Sequence, residues 1–291
     1  MKTLVQAALL GFACFTSSCG GESSAEAVLT FSAIPDHDQT MLRAKYEPVA
    51  EWLSEQLGVP VRYRPVVKYK DAVELFRTGD VQLAWFGGLS GVQARRSVEG
   101  ARAIVQGAAD PTYYSYFIAH KDTGLERSES FPKGIEGKKF TFGSPDSTSG
   151  RLMPEYFIRK YGGKAPADYF GHENAYSGAH DKTIEQVASG QFEVGACNYK
   201  TYDKMVADGK IDPAVCKVIW KSDLYADYNM TAHPDLEKTF GAGFIDKLQK
   251  TLLRLDDPEL LAAFQRDRLI AASNEDFSRI EELAVELGLT D

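Results

Sequence analysis

The chain has 291 residues, of which 44% are hydrophobic and 25% charged, with a formal net charge of −8 at pH 7. This is a globular composition with enough apolar residues for two cores of ordinary size. The negative charge repels polyanions and no run of Lys and Arg offsets it, which argues against nucleic acid as a partner.

The first residues have the pattern of an export signal. Lys2 precedes an apolar stretch over 4–15 that is too short to span a membrane, and small residues then lead to Cys19. This pattern predicts that Cys19 is lipidated and becomes the mature N-terminus, within a signal and tether over 1–27. Thr16 stands where the processing sequence of a lipoprotein usually carries Leu, three residues before the cysteine. Ordinary signal cleavage without lipidation is therefore the alternative. We expect an exported, periplasmic or cell-surface protein, held at a membrane by this lipid alone.

After the tether, short apolar runs that predict strands alternate with segments of helical periodicity. The predicted strands lie at 28–34, 59–66, 81–86, 103–106, 139–142, 193–197 and 217–220. The predicted helices lie at 40–57, 71–78, 89–98, 150–160, 182–189, 199–208, 244–255, 258–264 and 275–287. Such alternation predicts mainly parallel sheets flanked by helices.

The elements fall into two α/β groups followed by a helical tail, which predicts a two-lobed clamshell. We expect lobe 1 to comprise 28–117 plus 224–291 and lobe 2 to comprise 118–223, with hinge crossings near 118–121 and 221–224. Two cysteines follow the tether, Cys197 and Cys216. They are predicted at opposite ends of neighbouring parallel strands, too far apart to bridge, so we expect buried free thiols.

The segment 141–151 is the most informative candidate site. A predicted strand ends at 142, the hydroxyl residues Ser147, Thr148 and Ser149 follow, and a helix begins at Gly150. Unpaired N–H groups and the positive end of the helix dipole meet these hydroxyls, which favours anion binding. A plain helix cap is the alternative.

Other candidate residues also stand where a strand gives way to a helix. Gly88 and Ser90 follow a strand through glycines, His180 precedes a helix, and Asn198 follows a strand at the carboxyl edge, where open α/β sheets bind ligands. Arg151 could add positive charge to the anion site; pairing with Glu155 one turn on is its alternative. The group 36–38, Asp-His-Asp, is interpreted as helix capping rather than a cation site.

In their order these features resemble the phosphonate- and phosphite-type periplasmic binding proteins of ABC importers. The similarity is carried by Trp-Phe-Gly at 85–87, Ser-Thr-Ser-Gly at 147–150, Gly-Ala-His-Asp at 178–181 and Val-Gly-Ala-Cys-Asn at 194–198. It implies a type II periplasmic-binding-protein clamshell, an oxyanion bound by 147–149 and His180, and an ABC permease and its ATPase as partners. The nearest likeness is to a branch assigned to selenate.

Two positions depart from the family pattern. Gly91 stands where many phosphonate binders carry Tyr, and Asn198 stands where they carry an aspartate. A carboxylate can only accept hydrogen bonds, whereas an Asn can donate its NH₂ to a fully deprotonated anion. We therefore expect a selenate- or sulfate-like oxyanion, with phosphonate or phosphite as the alternative ligand.

An enzyme is the second alternative, because Ser, His and Asp all occur near the expected cleft. The sequence has no G-x-S-x-G elbow and no G-x-x-x-x-G-K loop, so a periplasmic Ser/His hydrolase has weaker support. The five histidines show no H-x-x-x-H spacing, and we expect no metal and no cofactor. The expected protein is a monomeric binding component without catalytic residues.

The first prediction concerns the mature N-terminus. Mass spectrometry of the exported protein should find a chain that begins at Cys19 and carries acyl groups. A Cys19→Ser variant should lose the added lipid mass and detach from membranes. An unmodified chain that begins near Ala25 would show that export occurs without the anchor.

Overall fold

The structure is a computed structural model that describes residues 27–36 and 39–290. Within them the strands are β1 Leu29–Ala33, β2 Val61–Tyr63, β3 Leu83–Phe86, β4 Arg102–Gly107, β5 Ser115–His120, β6 Phe140–Phe142, β7 Ala175–Tyr176, β8 Val194–Asn198, β9 Cys216–Lys221, β10 Asn229–Ala232 and β11 Leu269–Ala271. The helices are α1 Gln39–Leu57, α2 Tyr69–Arg77, α3 Gly88–Ser97, α4 Met153–Gly162, α5 Pro166–Phe170, α6 His180–Ala188, α7 Tyr199–Ala207, α8 Asp235–Phe240, α9 Phe244–Leu252, α10 Pro258–Ala263 and α11 Ser278–Glu286.

The strands form two sheets, and helices pack on both. One sheet has the order β11-β4-β10-β3-β1-β2 and the other β7-β6-β8-β5-β9. The two-lobed α/β prediction is confirmed, but the sheets are mixed rather than mainly parallel. In the first sheet β1 is parallel to β2 and β3, whereas β10 and β11 run antiparallel to their neighbours. In the second, β5 is antiparallel to both β8 and β9.

The chain crosses between the sheets before β5 and again between β9 and β10. Where it crosses, Tyr113 and Tyr225 pair as an antiparallel bridge, with N–O distances of 2.9 and 3.0 Å. The predicted crossing near 118–121 falls inside β5, so the first crossing lies several residues earlier. The second lies close to the predicted one at 221–224.

The sequence prediction missed strands that lie in the expected helical tail. β10 has four residues, two of them polar, yet it is fully buried between β3 and β4. Its polar side chains are satisfied inside the sheet, since Arg95 Nη1 donates to Asn229 Oδ1 at 3.0 Å and Thr231 Oγ1 at 3.1 Å. A short strand stabilised by such distant partners carries little periodic signal.

Aromatic side chains dominate the core of the second lobe. The Trp220 ring packs edge-on against Phe117, Phe131 and Phe157, with each pair of ring centroids 5.3 Å apart. In the described part of the chain both Cys197 and Cys216 are buried free thiols. They were predicted on neighbouring parallel strands. In the structure they lie on β8 and β9, which are separated by β5.

No helix in the ranges 27–36 and 39–290 is long and apolar enough to cross a membrane. The same residues contain no group of three or more His, Cys, Asp or Glu side chains that could hold a metal ion.

A buried ion pair fixes the tail beside the first crossing. Arg266 donates to both oxygens of Asp110, through Nε at 2.8 Å and Nη2 at 2.5 Å, and both side chains are almost fully buried. The Gly107 N–H also donates to Asp110, at 2.7 Å. Removing one member of such a pair leaves an uncompensated buried charge.

We therefore expect Asp110→Asn to lower the free energy of unfolding by about 3–5 kcal/mol. Equilibrium denaturation of the variant and the native protein measures this. The matched control is Glu282→Gln, which removes an exposed pair with Arg279 and should leave the transition almost unchanged. Equal effects in the two variants would contradict the role given to the buried pair.

Candidate functional site

The predicted anion segment forms a π-helical turn that leads into α4. The turn covers Thr148–Leu152, and the Ser147 hydroxyl caps it by accepting from the Gly150 N–H at 3.0 Å. Ser147, Thr148 and Ser149 are all at most 2% exposed. Single π-helical turns occur often at functional sites, and here the turn brings three hydroxyls to the start of a ten-residue helix.

His180 faces this turn from the start of α6. Its Nδ1 accepts a hydrogen bond from the Asn198 N–H at 3.2 Å, so the proton of the neutral ring is carried by Nε2. Nε2 lies 3.5 Å from both the Ser147 and the Ser149 Oγ atoms. The imidazole is thus oriented as a donor towards the two serine hydroxyls.

Gly150 is the residue that lets His180 approach. A Cβ at Gly150 would lie 3.0 Å from Ser147 Oγ and 3.2 Å from His180 Cε1. A side chain there would push the imidazole away from the serines.

The start of α3 faces the turn from the other lobe. The Leu89 N–H donates to Thr148 Oγ1 across the cleft at 2.9 Å, and the Gly88 N–H donates to Asp227 Oδ1 at 2.9 Å. The Ser90 hydroxyl accepts from the Gly87 N–H at 3.1 Å and so caps its own helix. The sequence made Gly88 and Ser90 candidate ligand-binding residues, whose backbone N–H groups could face a ligand. In the structure, however, the Gly88 N–H donates to the Asp227 carboxyl group and the Leu89 N–H donates to the Thr148 hydroxyl, so both are already hydrogen-bonded within the protein.

Asp227 is the residue that the sequence reasoning missed. It stands two residues before β10, a strand that was not predicted, and it is 1% exposed. Burial raises its pKa to about 7, and the Gly88 N–H and the hydroxyls of Thr148 and Ser149 offset this only in part. Its second oxygen, Oδ2, has no hydrogen-bond partner among the residues that the structure describes. A buried carboxyl group whose pKa is raised to about 7 therefore lies beside the hydroxyl turn 147–149.

A phenol completes this side of the cleft. Tyr69, at the start of α2, is fully buried, and its hydroxyl lies near Ser147 without a hydrogen-bond partner in the described part of the chain. Burial, and then the carboxylates of Asp36 and Asp227, raise the pKa of this phenol. It therefore keeps its proton and can donate it.

Asn198 lies at the cleft but does not turn its amide towards the serines. Its Oδ1 accepts from the Thr201 N–H at 2.7 Å and caps α7, which directs Nδ2 to the Tyr228 hydroxyl at 3.1 Å. Tyr228 in turn donates to Asp36 Oδ2 at 3.0 Å. Asp36 thus faces the cleft, while the adjoining residues 37 and 38 lie outside the described ranges.

Arg151 is near the turn but is engaged elsewhere. It forms an ion pair with Glu155, its Nε donates to the Tyr176 hydroxyl at 2.9 Å, and its Cζ lies 4.8 Å from the Phe142 ring centroid. The predicted ligand contact is replaced by the pairing with Glu155 that was its alternative, although the pair is buried rather than exposed.

The position of Gly91 leaves no room for the tyrosine that many relatives are expected to carry. A Cβ there would come within 2.8 Å of Asn229 Nδ2 and 2.9 Å of Arg95 Nη1. Glycine at this point allows α3 to pack on β10, and so helps to place Asp227.

The orientation of His180 argues against Ser–His hydrolase chemistry. A catalytic triad needs the Nδ1–H of the histidine to donate to a carboxylate, so that Nε2 can take a proton from the serine. Here Nδ1 is an acceptor and Nε2 carries the proton. The ring is therefore arranged to donate a hydrogen bond from Nε2, and not to take a proton from a serine nucleophile.

Comparison with known proteins identifies the family to which the sequence is similar. A family model described as ABC transporter, phosphonate, periplasmic substrate-binding protein matches residues 31–277. The probable ABC transporter phosphite binding protein PhnD1 of Prochlorococcus marinus is 38% identical over 267 residues, 89% of this chain and 90% of its own length. The phosphate-import protein PhnD of Mycolicibacterium smegmatis is 33% identical, over 86% of this chain and 79% of its own.

The same similarity extends to solved structures. The structure of PhnD1 from Prochlorococcus marinus in complex with methylphosphonate superposes with a TM-score of 0.85, covering 90% of this chain and 98% of that one. A binding protein component of an ABC phosphonate transporter from Pseudomonas aeruginosa, 23% identical, shares the fold with a TM-score of 0.77 over 91% of this chain and 88% of that one.

The tautomer of His180 can be measured directly. Two-dimensional NMR that correlates ring nitrogens with ring carbon-bound protons should show the Nε2–H form, because the Asn198 N–H occupies Nδ1. The signals that are absent from the spectrum of the His180→Gln variant are those of His180, which assigns them among the five histidines of the chain. An Nδ1–H tautomer would contradict the donor role that the hydrogen bonds assign to this ring.

Proposed function

The chain belongs to the periplasmic substrate-binding proteins of phosphonate ABC transporters, and on that basis we propose that it captures phosphite or a small phosphonate such as methylphosphonate. As a member of this family it is a periplasmic solute-binding component of an importer and not an enzyme, and its partners are a permease and an ATPase. The observation that carries the choice of ligand is the buried carboxyl group of Asp227.

A carboxylate beside an anion favours a ligand that still carries a proton. Phosphite and phosphonates keep one exchangeable proton near neutral pH, whereas sulfate and selenate are fully deprotonated. Asp227, with a pKa of about 7, can accept that proton in a hydrogen bond or lend its own to a ligand dianion. The hydroxyls of 147–149, the Nε2–H of His180 and the Tyr69 phenol then donate to the remaining oxygens.

The expectation of a selenate- or sulfate-like ligand depended on a site built from donors alone. Asp227 is an acceptor at the centre of that site, and Asn198 donates to Tyr228 instead of towards the serines. The relatives found by comparison are named for phosphite, phosphate and phosphonates, and they give no support to the selenate branch. The alternative ligand class therefore has the better support.

Capture by closure of the two lobes fits the division of these groups. The serines and His180 belong to the second lobe, whereas Asp227 and Tyr69 belong to the first, so a bound anion would join both. We further propose that the protein acts as a monomer attached to a membrane through Cys19. Cys19 lies outside the described residues.

The Asp227→Asn variant tests the ligand assignment. The amide keeps the shape of the side chain but can donate to a bare oxyanion, so the preference for phosphite over selenate should fall. A charge-assisted hydrogen bond contributes about 1.5–3 kcal/mol, which corresponds to a loss of roughly tenfold to a hundredfold in this ratio. Isothermal titration calorimetry with phosphite, methylphosphonate, selenate and sulfate measures it.

The pH dependence supplies an independent readout. Above pH 7 the free carboxyl group and the free ligand are both deprotonated, so forming a complex that contains one shared proton requires proton uptake. Phosphite affinity of the native protein should then fall by up to about tenfold per pH unit. Asp227→Asn should flatten this dependence. Tighter binding of selenate than of phosphite by the native protein would contradict the proposal.

A further inference from the structure

The π-helical turn contains one backbone carbonyl that its own helix cannot satisfy. In this register an N–H donates to the carbonyl five residues earlier, as the N–H of Leu152 does to the carbonyl oxygen of Ser147 at 3.0 Å. The corresponding donor for the Ser149 carbonyl would be residue 154. That residue is Pro154, which has no N–H, so this series of hydrogen bonds ends before it reaches Ser149.

Ser115 supplies a donor to this carbonyl from outside the helix. The N–H of Met153, which would reach Ser149 in an ordinary α-helix, donates to the Thr148 carbonyl oxygen instead. The Ser115 hydroxyl donates to the Ser149 carbonyl oxygen at 2.8 Å, and both residues are at most 1% exposed. Because a buried carbonyl without a donor is unfavourable, this hydroxyl compensates for the proline in the first turn of α4.

The hydrogen bond to Ser149 also fixes the direction of a second one. The hydroxyl oxygens of Ser115 and Tyr225 lie 2.6 Å apart. Because a carbonyl oxygen can only accept, the single hydrogen of the Ser115 hydroxyl is used at Ser149, and the phenol of Tyr225 is the donor of this pair. Burial raises the pKa of Tyr225, so the phenol keeps the proton that it donates. The donors therefore run in order from Tyr225 to Ser115 to Ser149.

Both crossings between the lobes fix the position of Ser115. It begins β5 directly after the first crossing, and its N–H donates to the Ser222 hydroxyl at 2.9 Å. The Ser222 N–H donates back to the Ser115 carbonyl oxygen at 3.0 Å. Tyr225, in the second crossing, is paired through its backbone with Tyr113 in the first. The donor to the π-helical turn thus belongs to the junction between the lobes, and not to the helix that follows the turn.

The orientation of the Ser149 peptide matters because the side chain of this residue faces the candidate site. Ser149 Oγ lies 3.5 Å from His180 Nε2, and its hydroxyl partly offsets the burial that raises the pKa of Asp227. Without the Ser115 donor, the Ser149 carbonyl could find another donor only if this peptide rotated. The Ser149 hydroxyl would then move relative to both His180 and Asp227.

We propose that Ser115 is a positioning residue for the π-helical turn, because its hydroxyl takes the place of the N–H that Pro154 lacks. It keeps the turn in the register in which the hydroxyls of 147–149 point towards the bound anion. The inference rests on the proposed function, but it concerns how the site is supported and not which anion is chosen. Ser115 acts on the ligand only through Ser149.

A double-mutant cycle between positions 115 and 154 tests this role. Ser115→Ala removes the donor, and Pro154→Ala provides a backbone N–H that can donate to the Ser149 carbonyl in its place. In calorimetry, Ser115→Ala should weaken phosphite binding by about tenfold in the native chain and by less than about threefold in the Pro154→Ala background. Equal losses in the two backgrounds would overturn the proposal.

A buried serine in the other lobe provides the matched control. Ser32, on β1, is fully buried, and its hydroxyl donates to the Arg64 carbonyl oxygen at 2.7 Å. Ser32→Ala should change phosphite affinity by less than about threefold, whether residue 154 is proline or alanine. If Ser115→Ala lowers the unfolding temperature as Ser32→Ala does but leaves phosphite affinity unchanged, Ser115 stabilises the fold only and the positioning role is refuted.

The NMR signals of the His180 ring give a readout that needs no ligand. Because Ser149 Oγ lies 3.5 Å from Nε2, Ser115→Ala should shift these signals in the free protein, and adding Pro154→Ala should restore them. This result in a native protein that does not bind phosphite would support the role of Ser115 and contradict the proposed function. Unshifted signals in Ser115→Ala would contradict the role itself. If Ser115→Ala alone does not fold, recovery of folding in the double variant supports the role, and failure of both contradicts it.

Discussion

The cleft depends on one buried carboxyl group, that of Asp227. Removing a carboxylate from water is unfavourable, and it persists in a protein only where donors or a shared proton compensate for the lost hydration. The Gly88 N–H supplies one donor to Oδ1. The hydroxyls of Thr148 and Ser149 in the opposite lobe also lower the pKa of this carboxyl group, but burial still holds it at about 7, and Oδ2 has no hydrogen-bond partner among the described residues. Under the proposed function, a proton shared with the ligand would supply the missing compensation.

The sheet topology explains how this carboxyl group reaches the cleft. The chain leaves the second lobe after β9, crosses beside the Tyr113–Tyr225 bridge and re-enters the first sheet as β10, between β3 and β4. Asp227 lies on this returning segment, opposite the end of β3 and the start of α3. The buried pair of Arg266 and Asp110 stabilises the same junction, because the Asp227 N–H donates to the Asp110 carbonyl oxygen at 3.2 Å. The geometry of the site is thus set by the crossing between the lobes.

The sequence predicted the parts of this site that are local in the chain. The hydroxyls of 147–149 and His180 each stand where a strand gives way to a helix, and such positions can be inferred from periodicity and capping residues. Asp227 could not be found this way, because it gains its role from β10, a four-residue strand with two polar side chains. The direction of the Asn198 amide was equally inaccessible, since it is decided by Thr201 on one side and Tyr228 on the other.

The identity of residue 198 then acquires a different meaning from the one that the sequence suggested. A second carboxylate beside His180 would place two like charges at one small anion, and would require a further proton or an ammonium group on the ligand. Asparagine avoids adding a second carboxylate beside His180 to that of Asp227, while Asp36 lies one phenol further away and accepts from Tyr228. One carboxyl group matches one exchangeable proton, which is what phosphite and a simple phosphonate carry near neutral pH. Under the proposed function, the amide at 198 would therefore favour such a ligand because it is not a second carboxylate.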